Sequence, residues 1–386
     1  MSIFADKPRL VDDLIPQIIN ANTHTEPSKR QSDLARFCLV STLWLPLARK
    51  RLYEHPTLRN FVLCRLFATS LSCSTRLPSL VKGIDIHPIE YSSDIHGLVS
   101  LEEGRACREF SGFLVHLQSL QNLSLGGDLF NIRVSLFFGT PVPLHRLSTL
   151  KINGSHGRNH LHFHQYFNQG SYFIWDDRVL QSLPNLRVLH LTNITLRIDT
   201  NASSCSFPPV EELSLRKILV VEGELSYLLW DSWDTVHTFT IDELAPIEAG
   251  MCLEDVIQRC TNLRMFQYEV GDFQYCRSEL FNSNTIPLTV EHPIYTLHTL
   301  ILVDVDCIQI ENISRLFPGL QKLVVSGWST FPAADQWARC LLQGKFSELN
   351  EIGLKMDKIQ GEDYIYAMLH EACSERNINF HVDILP

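Results

Sequence analysis

The chain is short of positive charge. Its 33 lysines and arginines stand against 43 aspartates and glutamates, a net charge of −10 over 386 residues. That balance argues against a protein whose main work is neutralising phosphates, so no nucleic-acid partner is expected. Glycine and proline are sparse, 18 of each, which excludes a collagen or a low-complexity chain. No window of about 18 residues is free of charged and polar side chains, so no membrane span is expected. The opening MSIFADKPRL lacks the apolar run of a secretory leader. The 11 cysteines are scattered and include no C-x-x-C pair. They read as reduced, largely apolar thiols of a cytoplasmic or nuclear protein rather than a disulfide framework.

Signatures of catalysis are also missing. The sequence holds no G-x-S-x-G, no P-loop, no G-x-G-x-x-G and no H-E-x-x-H. Ser79-x-x-Lys82 matches a nucleophile spacing used by some hydrolases but has no supporting motif around it. His160, His162 and His164 would share one side of a strand, where a metal site is geometrically conceivable. Three alternate residues of one strand converge poorly on a single ion, so a polar loop edge or a peptide contact is the better reading. The expectation is therefore a protein that is not an enzyme, with no cofactor and no metal.

What the chain has is leucine, 56 of them. It also has an uneven charge. Residues 1–65 hold ten Lys/Arg and six Asp/Glu, so a basic head precedes a body that carries all the net negative charge.

The head, residues 1–60, reads as three short helices. In RLVDDLIPQIINA, the residues Leu10, Leu14, Ile15, Ile18 and Ile19 recur at helical spacing. Pro16 is expected in the first turns, where a missing N–H costs least. Ser32 or Asp33 can cap a second helix whose Leu34, Phe37, Cys38 and Val40 point inward. STLWLPLARKRLYEH follows, with Trp44, Leu47, Leu52 and Tyr53 beside the basic Arg49, Lys50 and Arg51. Fewer than about 70 residues rarely close a stable core alone. Part of this apolar surface should therefore pack on the following domain and part on a partner.

Residues 61–76 read as a linker. From residue 77 onward an apolar-x-x-apolar-x-apolar pattern recurs. Its all-leucine copies begin at Leu120, Leu186 and Leu297, and looser ones at Val81, Leu147, Val210, Val236, Leu263, Leu320 and Leu349. Most are spaced within or near the 20–29 residues of a leucine-rich repeat. Several follow a short apolar turn, as in VLQSLPNL, VIQRCTNL and ISRLFPGL. Each unit reads as a short helix or 3₁₀ turn and a strand. Units of this kind bury their apolar faces by stacking strands in parallel. Two wider spacings imply insertions at about 87–115 and 153–178. At the end, a helix over 361–376 and a strand in NINFHVDILP would close the array. The aromatic run Tyr227, Trp230 and Trp233, next to Asp231 and Asp234, reads first as core, with any exposed part a binding anchor.

Two resemblances follow. Leu10-Val11-Asp12-Asp13-Leu14-Ile15, with Leu39-Val40-Ser41-x-x-Trp44 and Leu47-Ala48 after it, is similar to an F-box of the fungal kind, with Val11 where the family has proline. LPNLRVLHL resembles a leucine-rich repeat, although the ladder asparagine is absent; Ile194 and Ile218 are among the residues in its place. The implied fold class is α/β: a small three-helix F-box-like unit followed by a leucine-rich-repeat solenoid over residues 77–386, with short parallel strands and helices or 3₁₀ turns. The F-box resemblance implies the substrate-recognition subunit of a Skp–cullin–F-box ubiquitin ligase, a monomer within a larger complex. Leu10, Leu14, Ile15, Ile18, Leu39, Val40 and Trp44 would bind the Skp-type adaptor, or serve as core of the head. The polar strand positions His190, Glu212, Thr240, Gln267, His298 and Lys322 would face a target that the sequence does not name. The alternative is a leucine-rich scaffold without a ligase role.

Overall fold

The structure, a computed structural model, describes residues 10–21, 27–88, 112–127 except 115, 144–154, 172–199, 207–242, 257–269, 292–303, 310–326, 334–356 and 363–384. The chain divides into two compact units, the first ending with the strand Thr149–Gly154 and the second beginning with the strand Tyr172–Trp175. The class is α/β, with parallel strands and interspersed helices.

The head supplies α1 (Leu10–Ala21), α2 (Pro27–Phe37) and α3 (Leu45–Glu54). Pro27 and Pro46 sit in first turns, where their missing N–H is no loss. Pro16 does not: α1 begins at Leu10, so the proline lies in the helix interior and removes one backbone bond. Ile15, Ile19, Leu34 and Ala48 form the buried centre, with Phe37, Cys38, Trp44 and Leu52 packed on it. The ring centroids of Phe37 and Trp44 lie 5.3 Å apart.

The segment expected as a linker carries a 12-residue helix, α4 (Phe61–Ser72). Asn60 caps it, its Oδ1 accepting from the Leu63 N–H at 2.8 Å. Phe61, Cys64, Phe67 and Leu71 recur at three- and four-residue spacing and are buried. Tyr53 of α3 stacks on Phe67 at 5.8 Å. The signal was present in the sequence as a capping residue before an apolar run.

A two-residue strand, β1 (Thr57–Leu58), follows α3 and pairs in parallel with β2 (Gly83–Ile86). Strand β3 (Asn122–Gly127) pairs with β2, and β4 (Thr149–Gly154) with β3, all parallel. In the second unit the strands are β5 (Tyr172–Trp175), β6 (Val188–Ile198), β7 (Glu212–Glu222), β8 (Thr238–Asp242), β9 (Met265–Glu269), β10 (Thr299–Val303), β11 (Lys322–Ser326), β12 (Glu351–Met356) and β13 (Asn379–Ile384). From β6 to β13 each strand pairs in parallel with the next in chain order. The order therefore winds in one direction. A doubly wound nucleotide fold reverses its strand order at a switch point, and no reversal occurs among the described strands of either unit.

The repeat positions read from the sequence fall into this frame. Each of the ten pattern starts lies two residues before a strand begins, from Val81 before β2 to Leu349 before β12. All ten are buried, as are their second apolar positions, Ile84 and Leu123 through to Ile352. Register aligns them: Leu213, Phe239, Phe266, Leu300, Leu323 and Ile352 are successive cross-strand neighbours. The backbone repeats as well. The His237 carbonyl accepts from both Arg264 and Met265 N–H, at 2.9 and 3.0 Å, and the Arg264 carbonyl from His298 and Thr299, each at 2.9 Å. One leading carbonyl thus holds two donors of the next strand.

Helices return the chain between strands. They include α5 (Asp177–Ser182), α6 (Ile310–Leu316), α7 (Ala334–Leu342) and α8 (Asp363–Glu375), with 3₁₀ turns at Pro78–Leu80 and Leu225–Leu229. Asp176 caps α5 by accepting from the Arg178 and Val179 N–H groups, each at 3.1 Å. Leu369, Ala372 and Cys373 bury one face of α8, beside which β13 is the terminal strand.

Strands β6 and β7 are twice as long as their neighbours. Asn193 (φ 54°) and Lys217 (φ 52°) lie between paired residues at the same level of both strands and turn them through the left-handed region. The distal halves pair with each other, and β5 adds to that of β6. Ile194 and Ile218, at the absent ladder-asparagine positions, are buried there. At these two positions the strand continues into a second apolar layer instead of ending in a turn.

Candidate functional site

Two surfaces carry the residues singled out by sequence. On the head, Leu14 and Ile18 are 42% and 44% exposed, whereas Ile15 and Ile19, one position on, are core. A residue on a helix turns about 100° from its predecessor, so the apolar stripe of α1 is wider than the head can cover. After α2 the backbone runs through turns, and Leu39 is 86% exposed, with Val40 and Leu43 also exposed. Val40 therefore faces out, contrary to the inward reading of the second helix. Leu45 and Leu47 of α3 are exposed too. Of the seven adaptor candidates, Leu14, Ile18, Leu39 and Val40 are surface, and Ile15 and Trp44 belong to the packed head. Leu10 starts α1, and its side chain lies outside the described residues. Leu43 and Leu45 were missed, although Leu43 lies within the stretch Leu39-Val40-Ser41-x-x-Trp44 and Leu45 directly follows it.

The head is joined to β2 by a charge cluster. The Glu54 side chain is only 7% exposed and bonds Arg51 at 2.7 Å and Lys82 at 2.6 Å through different oxygens. Burial pushes its carboxyl up, but the hydrogen bonds from Lys82 and Arg51 outweigh it and hold the group below the usual carboxylate range. The Lys82 N–H also donates to the Glu54 carbonyl at 3.0 Å.

Next along β2 stands a Ser/His/Asp constellation that the sequence did not flag. His87 Nε2 is 2.9 Å from Asp85 Oδ1 and 2.9 Å from Ser124 Oγ, and Arg59 approaches Asp85 at 3.4 Å. A nucleophile relay needs the base to use one ring nitrogen toward serine and the other toward the carboxylate. Here the same nitrogen faces both, hydrogen-bonded to Ser124 and close to Asp85 Oδ1, while Nδ1 lies against Gly126, where an added Cβ would fall 2.2 Å from it. The arrangement is a cross-strand polar lock. Ser79 donates its hydroxyl to the Arg76 carbonyl at 2.8 Å, and Lys82 is committed to Glu54, so the Ser-x-x-Lys spacing assembles no site.

The second surface is the polar face of β6 to β12. His190 Nε2 lies 2.6 Å from Glu212 Oε1, and Thr240 and Gln267 are direct register partners. Lys322 bonds Glu351 at 2.7 Å. His298 is exposed but precedes β10 rather than lying in it, and its carbonyl holds the Gln321 and Lys322 N–H groups, each at 2.9 Å. Register adds residues that sequence reasoning passed over: Arg216 pairs with Asp242 at 3.2 Å, and Met265, Thr299 and Ile301 share the face between the paired ends. Arg216 with Asp242 and Lys322 with Glu351 pair opposite charges across neighbouring strands of this face.

His160, His162 and His164 and most of both insertions lie outside the described residues. Among the described residues no group of His, Cys, Asp and Glu could hold a metal ion, and no helix is long and apolar enough to cross a membrane. Cys64, Cys260, Cys340 and Cys373 are buried, and Cys73 is exposed. Burial, with Asp234 nearby, pushes the Cys260 thiol up to about 12. Comparison with known proteins gives no matching family model and no match among curated proteins.

Proposed function

We propose that the chain is the substrate-recognition subunit of a Skp–cullin–F-box type ubiquitin ligase, working in the cytoplasm or nucleus. In this reading α1 to α3 are an F-box-like head that binds a Skp-type adaptor. The sequential parallel strands are an irregular leucine-rich-repeat solenoid that holds a target protein. The chain itself makes and breaks no bonds; it raises the effective concentration of target at the ligase.

The observation that carries the reading is the exposure of Leu14, Ile18, Leu39 and Val40 in the head. These are positions to which the resemblance assigns adaptor contact, and large apolar side chains left exposed by a folded unit suit an interaction surface. A face on which charges pair across strands, Arg216 with Asp242 and Lys322 with Glu351, suits recognition by shape and scattered hydrogen bonds.

Co-purification with a Skp-type adaptor tests it. The wild-type chain should capture the adaptor, and the double variant Leu14→Ala/Leu39→Ala should lose it with an unchanged circular dichroism spectrum. A folded wild-type chain that captures no adaptor would leave the solenoid scaffold without a ligase role as the reading to pursue.

A further inference from the structure

The stretch between β7 and β8 places aromatic rings where a core reading does not put them. Trp230 is 42% exposed and stacks on Tyr227, with ring centroids 4.9 Å apart and planes 11° from parallel. The platform is rigidly held. Ser232, fully buried, donates to the Pro208 carbonyl at 2.6 Å and accepts from the Val210 N–H at 3.2 Å. Thr235 donates to the Val210 carbonyl at 2.7 Å. Leu225, Leu228 and Leu229 anchor the 3₁₀ turn from beneath. Asp231, directly after the exposed indole, is itself exposed and held at φ 63°, a region that costs a residue bearing a Cβ. Glu224, exposed, precedes the same turn. No cation lies against Glu224 or Asp231 among the described residues.

An exposed indole offers a negative face to a cation, and neighbouring carboxylates strengthen that attraction. The same segment already satisfies one indole in this way: the guanidinium of Arg259 sits 5.4 Å above the Trp233 ring. Trp230 has no such cap among the described residues. We propose that Tyr227 and Trp230, with Glu224 and Asp231, form a docking surface for a peptide segment of a partner protein that presents arginine or lysine. The charge of the surface selects that occupant: the exposed Asp231, next in sequence to the exposed indole, and the exposed Glu224, at the start of the same turn, repel an acidic segment and leave a neutral one without electrostatic gain. The inference does not rest on the adaptor reading, because it concerns no residue of the head.

The test is a display selection of random 12-residue peptides on the purified full chain. Enriched peptides are then synthesised and titrated by calorimetry against wild type, Trp230→Ala, Asp231→Asn and, as a surface control, Leu342→Ala. The selected peptides should be rich in arginine and lysine. Their affinity should fall at least tenfold in Trp230→Ala, by a smaller factor in Asp231→Asn and with added salt, and stay unchanged in Leu342→Ala. Asp231→Asn keeps the result decisive if Trp230→Ala misfolds, since asparagine tolerates a positive φ. Enrichment of acidic or neutral peptides, no enrichment, or binding indifferent to both variants would overturn the proposal.

Discussion

The head and the strands of the sheet are built from the same residue types and treat them oppositely. Leu189, Leu213, Leu300 and Leu323 are buried to 1% or less. Leu14, Leu39 and Leu43 stand 42%, 86% and 61% exposed. The difference is geometric. A strand leucine meets a register partner on each neighbouring strand, so each added strand covers the last. A three-helix head has no repeating neighbour; among the described residues its buried centre is Ile15, Ile19, Leu34 and Ala48, with Phe37, Cys38, Trp44 and Leu52 packed on it. Buried leucines report how the chain folds; exposed ones report what it has left to offer.

The largest effect that would sharpen this contrast is on stability. Leu300→Ala removes a side chain flanked in register by Phe266 and Leu323 and should cost about 3 kcal/mol in chemical denaturation. Gly126→Ala comes next, at about 2 kcal/mol, because its Cβ would meet His87 Nδ1 at 2.2 Å and the Asn153 carbonyl oxygen at 2.7 Å. Gly112→Ala, with nothing within 4 Å, should leave stability nearly unchanged and serves as its control.

Glu54 tests the join between the regions. Glu54→Gln should cost about 1.5 kcal/mol at neutral pH, from lost charge-assisted hydrogen bonds to Arg51 and Lys82. The folded carboxyl titrates below its unfolded value, so its stabilisation is present above that unfolded value, about pH 4.3, and disappears as pH falls through the folded one. Melting curves of wild type and variant should therefore converge in that acid range. A constant gap down to the lowest pH would show that the charge contributes nothing.

A similarly small stability change should come from the head. Leu39→Ala should shift unfolding by less than about 0.5 kcal/mol yet weaken adaptor capture most among single head variants. A large loss of stability there would break the comparison, since it would place Leu39 in a core.

Much of the sheet was legible in the residues. The ten pattern starts all precede strands because parallel stacking demands the same apolar positions in each unit. Helix α4 escaped because Phe61 to Leu71 lies between two recognisable patterns, although Asn60 signalled its cap. The doubled length of β6 and β7 was hidden, since it depends on left-handed Asn193 and Lys217 standing side by side. Ile15 and Ile18 could not be told apart by spacing, because a wide apolar stripe leaves open which edge the other helices cover.

By itself the sequence determined the periodic part of this protein: which leucines, valines and isoleucines turn inward, and that they do so in stacked units. That follows from local period and repetition, which are properties of the chain in order. Tertiary structure alone decided the surplus. It set which apolar residues of the head stay uncovered, that Asp85, His87 and Ser124 lock rather than relay, and that Trp230 faces outward while Trp233 takes Arg259 as a cap. Those outcomes depend on which distant elements arrive as neighbours, and spacing along the chain carries no measure of that.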